Sequence, residues 1–343
     1  MTKPLDFIVF GVARSGTKTL VRALNLHPHV YCAQERFYFR ADHSQITFPN
    51  SFLDSSIIGD RYDLEKITRI REALAEKSDI RHVGNKLPRY YYRLEQINRD
   101  IPALKNIWIY RSPYGFMQSW NRREVNRLST RKGRWRAGQV GLFGLLELLC
   151  CIDNCVRLKK EIFIFPYEQG LNRSPKPITR ALEFLGADPG LHDRATFETR
   201  YLNRRRNPPH RLPLKSYENE ILDTLRMREL DQIMEQARGS MVSELAVPLR
   251  DYLQSIAGVL PRAVDRAFAA CDNPAVSSYG REHFNRNRAE LAGLIKFAHG
   301  SKALADFQSF NLYQRLKALY VQRWMLKRRL ASMWLSRAKA NRR

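Results

Sequence analysis

The stretch FIVFGVARSGTKTLVRALNLHP, residues 7–28, decides how the chain is read. An apolar run at 7–10 breaks at Gly11 into a short polar loop, after which Leu20, Val21, Ala23, Leu24 and Leu26 recur at helical spacing. This is a strand, a tight turn and a helix. The first N–H groups of such a helix have no partner within it and can grip an anion. Arg14, Ser15, Thr17, Lys18 and Thr19 add side-chain donors around the same point.

Spacing separates two kinds of phosphate loop. The form G-x-x-x-x-G-K-[ST] needs a lysine directly after its second glycine; Gly11 and Gly16 are correctly separated, but Thr17 holds that place and Lys18 follows one residue late. The arrangement instead resembles the 5′-phosphosulfate loop of sulfotransferases that use 3′-phosphoadenosine 5′-phosphosulfate (PAPS). In that family a basic residue three positions after the first glycine precedes a small residue, Gly, and Thr or Ser, here Arg14, Ser15, Gly16 and Thr17. The family's helix often ends in Leu-x-x-His-Pro-x-Val, and this one ends Leu24-Asn25-Leu26-His27-Pro28-His29-Val30. The resemblance implies that Arg14, Ser15, Gly16, Thr17, Lys18 and Thr19 hold the phosphosulfate.

A second stretch, NIWIYRSPYGFMQSWNRR at 106–123, extends the resemblance. A buried-looking strand at 107–110 closes at Arg111, Pro113 sits near the first turn of the next helix, and Ser119 lies two turns further on. Sulfotransferases hold the 3′-phosphate of the donor with an arginine at a strand end, a proline two later and a serine eight later. The guanidinium offers a planar fork to phosphate oxygens and the serine a directional hydroxyl, so Arg111 and Ser119 take those roles by resemblance.

Between these stretches lie two further candidates. Residues 30–33 form a short strand that ends in Gln34-Glu35-Arg36, and ligands of α/β proteins collect at the C-terminal ends of parallel strands. Glu35 is the candidate general base, as in the carbohydrate branch of the family; a surface carboxylate paired with Arg36 or Arg40 stands level with it. A strand at 80–83 is expected to end in Gly84-Asn85-Lys86-Leu87-Pro88, similar to the Gly-x-Lys-x-Pro segment of many sulfotransferases, which makes Lys86 a second cation at the transferred group. The phenol and steroid branch carries a histidine base here, and none stands between Lys86 and Pro88.

The rest of the chain speaks to architecture. After a polar insert from residue 40, a helix is expected at about 64–77, then a helix at 140–158, a strand at 162–165 and a helix that ends Leu182-Glu183-Phe184-Leu185-Gly186. Alternating strands and helices give an α/β fold, which the resemblance makes a P-loop-like three-layer sandwich: a parallel central sheet with helices on both faces. Residues 1–240 are assigned to this domain and 241–343 to a helical, basic extension packed on it or appended to it. Residues 220–238 read as a surface helix. The basic run Arg200, Arg204, Arg205, Arg206 and Arg211 either completes the 3′-phosphate pocket or is a solvated turn.

Composition bounds the partners. The chain has 343 residues, is 44% hydrophobic and carries a formal charge of +25, which selects anionic partners without choosing among them. Cys32, Cys150, Cys151, Cys155 and Cys271 are odd in number and lack zinc-site spacing, so they read as reduced thiols; with no secretory segment at the N-terminus, a cytoplasmic protein is expected. Residues 310–343 contain no acidic residue and interleave arginines and lysines with leucines and tryptophans. A helix docked on the domain is preferred there over one lying on the inner face of an anionic bilayer.

Together these readings imply transfer of a sulfuryl group from PAPS to a hydroxyl acceptor, on a carbohydrate or glycolipid, by in-line displacement. Glu35 would take the acceptor's proton while Arg14 and Lys86 neutralise developing charge, with no metal required. The competing readings are an ATP- and Mg²⁺-dependent kinase that uses the shifted loop, and a non-enzymatic basic protein that binds nucleic acid or membrane. Neither accounts for Arg111 and Ser119.

Overall fold

In a computed structural model, residues 2–263 are described except 38–41, 55–60, 78, 89, 129–139, 159, 203–213, 238 and 261–262; side chains are not described at 61–65, 123–128, 140–143 and 146. Phe7, Ile8, Val9 and Phe10 are all fully buried, which requires a strand covered on both faces. They form β1 (Phe7–Phe10), followed by β2 (Val30–Gln34), β3 (His82–Lys86), β4 (Lys105–Tyr110) and β5 (Ile162–Pro166). The sheet order is β2-β3-β1-β4-β5 with every neighbouring pair parallel. The expected parallel sheet is therefore present, and β1 is its central strand.

Alternation along each strand divides the core in two. Phe7 and Val9 face one cluster, with Leu20, Val21 and Leu24 of α1 (Thr17–Leu24); Ile8 and Phe10 face the other. The second cluster takes in α2 (Arg61–Glu76) through Ile70, α3 (Pro113–Leu128) through Phe116 and Met117, and α4 (Val140–Arg157) through Leu148 and Ile152. Helix α5 (Lys176–Leu185) returns to the α1 side, burying Ile178, Leu182 and Leu185, and ends at Gly186, whose φ of 80° is the left-handed conformation that stops a helix. Each fully buried Leu or Phe side chain contributes about 1.5–3 kcal/mol. Because chain order reverses about β1, the crevice for a ligand opens at the C-terminal ends of β1, β3 and β4.

Two expectations change. The third strand runs His82–Lys86 rather than 80–83, so Gly84, Asn85 and Lys86 belong to it instead of to a turn. Gly84 allows this because it lies under the Phe7 ring, where a Cβ would come within 2.3 Å. The surface helix at 220–238 is two helices, α6 (Ser216–Thr224) and α7 (Met227–Gln236), separated at Arg226 with φ 52°. They bury Ile221, Leu222, Met227, Leu230 and Met234 in the common core. Helix α8 (Val242–Ala257) buries Leu245, Leu249, Tyr252 and Ile256 in that core too. Residues 310–343 lie outside the described residues. No helix among the described residues is long and apolar enough to cross a membrane. Cys32, Cys150, Cys151 and Cys155 are buried free thiols, and Cys271 lies outside the described residues.

The His-Pro turn after α1 is a structural latch. Asn25 exchanges two hydrogen bonds with the Cys32 backbone at 2.7 and 3.1 Å, and Lys77 Nζ donates to the carbonyls of Asn25, His27 and Val30 at 2.6–2.7 Å. Fully buried His27 donates from Nε2 to the Asp188 carbonyl at 2.8 Å and accepts the His29 N–H at Nδ1, 3.1 Å, so its ring is neutral. Burial, opposed by the Asp188 carbonyl, holds its pKa below the ordinary 6.5. As pH falls the unfolded chain takes up this proton first, so the latch stabilises fully above the unfolded value and loses that contribution below it. Between about pH 7.5 and 5 the wild type is expected to lose more stability than His27→Gln, read from denaturant midpoints. Identical pH slopes would contradict a neutral buried His27.

Candidate active site

The loop between β1 and α1 turns into the helix through Gly16, which has φ 98° and packs so closely on Tyr167 that a Cβ would meet the ring at 2.3 Å. No side chain caps α1 and its first turn holds no acidic residue, so the positive end of the helix is left facing the crevice. The loop closes on itself through Ser15 N–H to the Val12 carbonyl at 3.0 Å, and is tied to the turn after β3 by Gly11 N–H to the Pro88 carbonyl at 3.1 Å. Ser15 is only 1% exposed, and its Oγ has no hydrogen-bond partner among the described residues. A buried hydroxyl without a partner beside an uncapped helix N-terminus fits an anion. Thr17 is buried next to it, whereas Lys18 is exposed. Burial and then the cations Arg22, Arg69 and Lys86 push the Lys18 ammonium below its ordinary pKa, against the pull of Glu35.

Arg111 and Ser119 meet this loop at Arg14. Arg111, the first residue past β4, donates from Nη1 to the Arg14 carbonyl at 3.0 Å, and Arg14 Nε donates to Ser119 Oγ at 3.1 Å. Residues 97 and 105 positions from Arg14 in the chain thus come together at its backbone and its side chain. The Arg111 guanidinium lies 4.6 Å from the Tyr167 ring centroid, and its Nε is 3.7 Å from Glu168 Oε1. Burial raises the Glu168 carboxyl above its ordinary pKa, more than Arg111 lowers it. Gly115 makes room one turn along α3, since a Cβ there would sit 3.0 Å from Arg111 Nε. Arg14 itself is in the left-handed region at φ 77°, with its guanidinium carbon 6.0 Å from the Trp120 ring centroid.

Glu35 and Lys86 stand at the ends of the adjacent strands β2 and β3. Lys86 Nζ donates to Glu35 Oε1 at 2.6 Å, and Glu35 N–H donates to the Lys86 carbonyl at 2.7 Å. Lys86 is 3% exposed and Glu35 42%, so the lysine is fixed while the carboxylate looks outward. The Glu35 backbone, at φ 57°, is held from α2 by Lys66 Nζ on its carbonyl at 2.7 Å. Arg36 donates instead to carbonyls at Phe52, 2.9 Å, Ser51, 3.3 Å, and Asp54, 2.6 Å. Arg40, Arg204, Arg205, Arg206 and Arg211 lie outside the described residues.

Sequence reasoning gave no site role to Lys66, because nothing in the α2 pattern marks it, or to Tyr167 and Glu168. Their place under Arg111 could have been guessed from their position directly after β5, at the same end of the sheet.

The model of the Sulfotransferase family matches residues 6–193, more than half of the chain. Among solved structures the chain is similar to a sulfotransferase from Alicyclobacillus acidocaldarius, with 16% identity, 66% of this chain and 92% of that chain covered and a TM-score of 0.42. It is also similar to a sulfotransferase from Mycobacterium avium, with 16% identity, 74% and 76% covered and a TM-score of 0.38. A third similarity is to the sulfotransferase domain of the olefin synthase of Synechococcus PCC 7002, with 19% identity, 54% and 74% covered and a TM-score of 0.36. No curated protein sequence matches. The matched residues contain the loop, Glu35, Lys86, Arg111 and Ser119, and on that match the chain belongs to the sulfotransferase family and is an enzyme of sulfuryl transfer.

Proposed function

We propose that the protein transfers a sulfuryl group from PAPS to a hydroxyl of a carbohydrate or glycolipid. The observation that carries this reading is the junction at Arg14, where the loop, Arg111 and Ser119 meet through two hydrogen bonds. The unpartnered Ser15 hydroxyl and the uncapped α1 N-terminus fit the phosphosulfate, with Gly16, Thr17, Lys18 and Thr19 beside them. Arg111 and Ser119 fit the 3′-phosphate. When bound, PAPS supplies an activated sulfuryl group on a phosphate leaving group.

The chain's own residues then divide the work. Glu35, anchored by Lys86 at one oxygen, accepts the proton of the acceptor hydroxyl at its exposed carboxylate. Lys86 and Arg14 hold fixed positive charge where negative charge develops, and Arg14 keeps its charge at any working pH. Most of the rate enhancement comes from positioning and from these fixed cations, as in phosphoryl transfer.

Two features support a sugar acceptor. The Arg14-Ser15-Gly16 form of the loop resembles the carbohydrate and bacterial glycan or glycolipid enzymes, and a carboxylate rather than a histidine stands at the site. A lipid-linked sugar also suits the basic, acid-free segment 310–343.

With radiolabelled PAPS and a panel of glycans, glycolipids and phenols, the wild type is expected to label a sugar hydroxyl. Glu35→Gln should lower kcat by about 10²–10⁴-fold and Lys86→Ala by about 10²–10³-fold. Labelling confined to phenols would overturn the acceptor assignment, and full activity of Glu35→Gln would remove the base. Removal of residues 310–343 should weaken binding to anionic vesicles; unchanged binding would rule out a membrane role for that segment.

A further inference from the structure

Helix α7 carries a carboxylate that does not touch the proposed donor site. Asp231 Oδ1 accepts the Tyr110 hydroxyl at 2.6 Å and Oδ2 accepts the Ser112 hydroxyl at 2.6 Å. These are the residues immediately before and after Arg111. Tyr110 is the last residue of β4 and is buried; Ser112 precedes α3, and its carbonyl accepts the Phe116 N–H at 3.1 Å. One side chain therefore ties the end of the strand to the start of the helix across the single residue between them.

The guanidinium end of Arg111 is supported separately, by the Tyr167 ring and by Glu168. Its root follows Tyr110, which pairs with Pro166 of β5. A purely apolar contact would hold α7 against the sheet equally well, but it would leave the rotation of the Tyr110–Ser112 segment unspecified; two charge-assisted hydrogen bonds specify it. The carboxylate is held in place at a cost, since burial raises its pKa against the two hydroxyls that lower it, with Glu235 adding to the rise. Asp231 lies beyond the matched residues 6–193.

We infer that Asp231 is a positioning residue for the 3′-phosphate arm of the site: it fixes the backbone on both sides of Arg111, so that the guanidinium meets the Arg14 loop. The inference rests on the reading of Arg111 as a ligand of the 3′-phosphate.

The test is calorimetry with adenosine 3′,5′-bisphosphate and with adenosine 5′-monophosphate, which lacks the 3′-phosphate, on wild type, Asp231→Ala, Asp231→Asn and Ser112→Ala. The wild type should prefer the bisphosphate. Asp231→Ala should lose about tenfold of that preference while its affinity for the monophosphate changes less than about twofold. Asp231→Asn and Ser112→Ala, which disturb the fold less, should each lose about threefold, and they decide the matter if Asp231→Ala does not fold. Equal weakening of both ligands would mark a merely structural role, and an unchanged preference would remove any role; either overturns the inference while leaving the reading of Arg111 intact. A wild type with no preference for the bisphosphate would overturn that reading, and this inference with it.

Discussion

The hydrogen bond from Arg111 to the Arg14 carbonyl is the constraint on which the rest of the site depends. It joins the chain just past β4 to the loop just past β1, and these strands are paired in register from Phe7 opposite Lys105 to Phe10 opposite Trp108. The parallel sheet brings the two strand ends level, and the hydrogen bond then sets the loop. Arg14 adopts a left-handed backbone to make it, and Glu35 does the same at the end of β2. Each such residue costs on the order of 1–3 kcal/mol and persists only where its surroundings hold it. Here the holders are identifiable: Arg111 and Ser119 for Arg14, Lys86 and Lys66 for Glu35.

Charge gives this geometry its chemical meaning. Arg22, Arg69 and Lys86 act on Lys18 in the first turn of α1, and Glu35 is the carboxylate that opposes them there. In the proposed function an anion at the α1 N-terminus would relieve that repulsion and give the buried Ser15 hydroxyl a partner. The chain's overall charge of +25 draws anions toward the crevice at long range, an effect screened over about 10 Å at 0.1 M salt. Selectivity must come from the short-range groups, since the field favours every anion alike.

The central strand, loop and first helix were legible because their signals are local: an apolar run, a glycine at the turn and a helical stripe all within residues 7–28. The placement of Arg111 just past a strand and of Ser119 on the next helix was legible for the same reason, while their role toward a phosphate is a proposal. The third strand was misplaced because Asn85 and Lys86 look like turn residues, although both are buried. Asn85 is satisfied there by the Arg36 N–H, the Phe37 carbonyl and the Tyr90 hydroxyl, partners that no local pattern can supply. In the polar-looking insert, Phe48 and Phe52 meet edge to face, Tyr31 packs on both and Phe37 meets Phe52 edge on, a cluster invisible until β2 lies beside it. Asp231 is the extreme case, 121 positions from Tyr110 on a helix read from sequence as surface.

The most direct measurement of the central claim is calorimetric titration of the full chain with adenosine 3′,5′-bisphosphate and, separately, with ATP and Mg²⁺, repeated on Arg111→Ala. The account predicts that the wild type binds the bisphosphate more tightly than ATP, and that Arg111→Ala weakens the bisphosphate by at least about tenfold through loss of a charge-assisted contact. Absence of bisphosphate binding, or equal binding by wild type and Arg111→Ala, would contradict it.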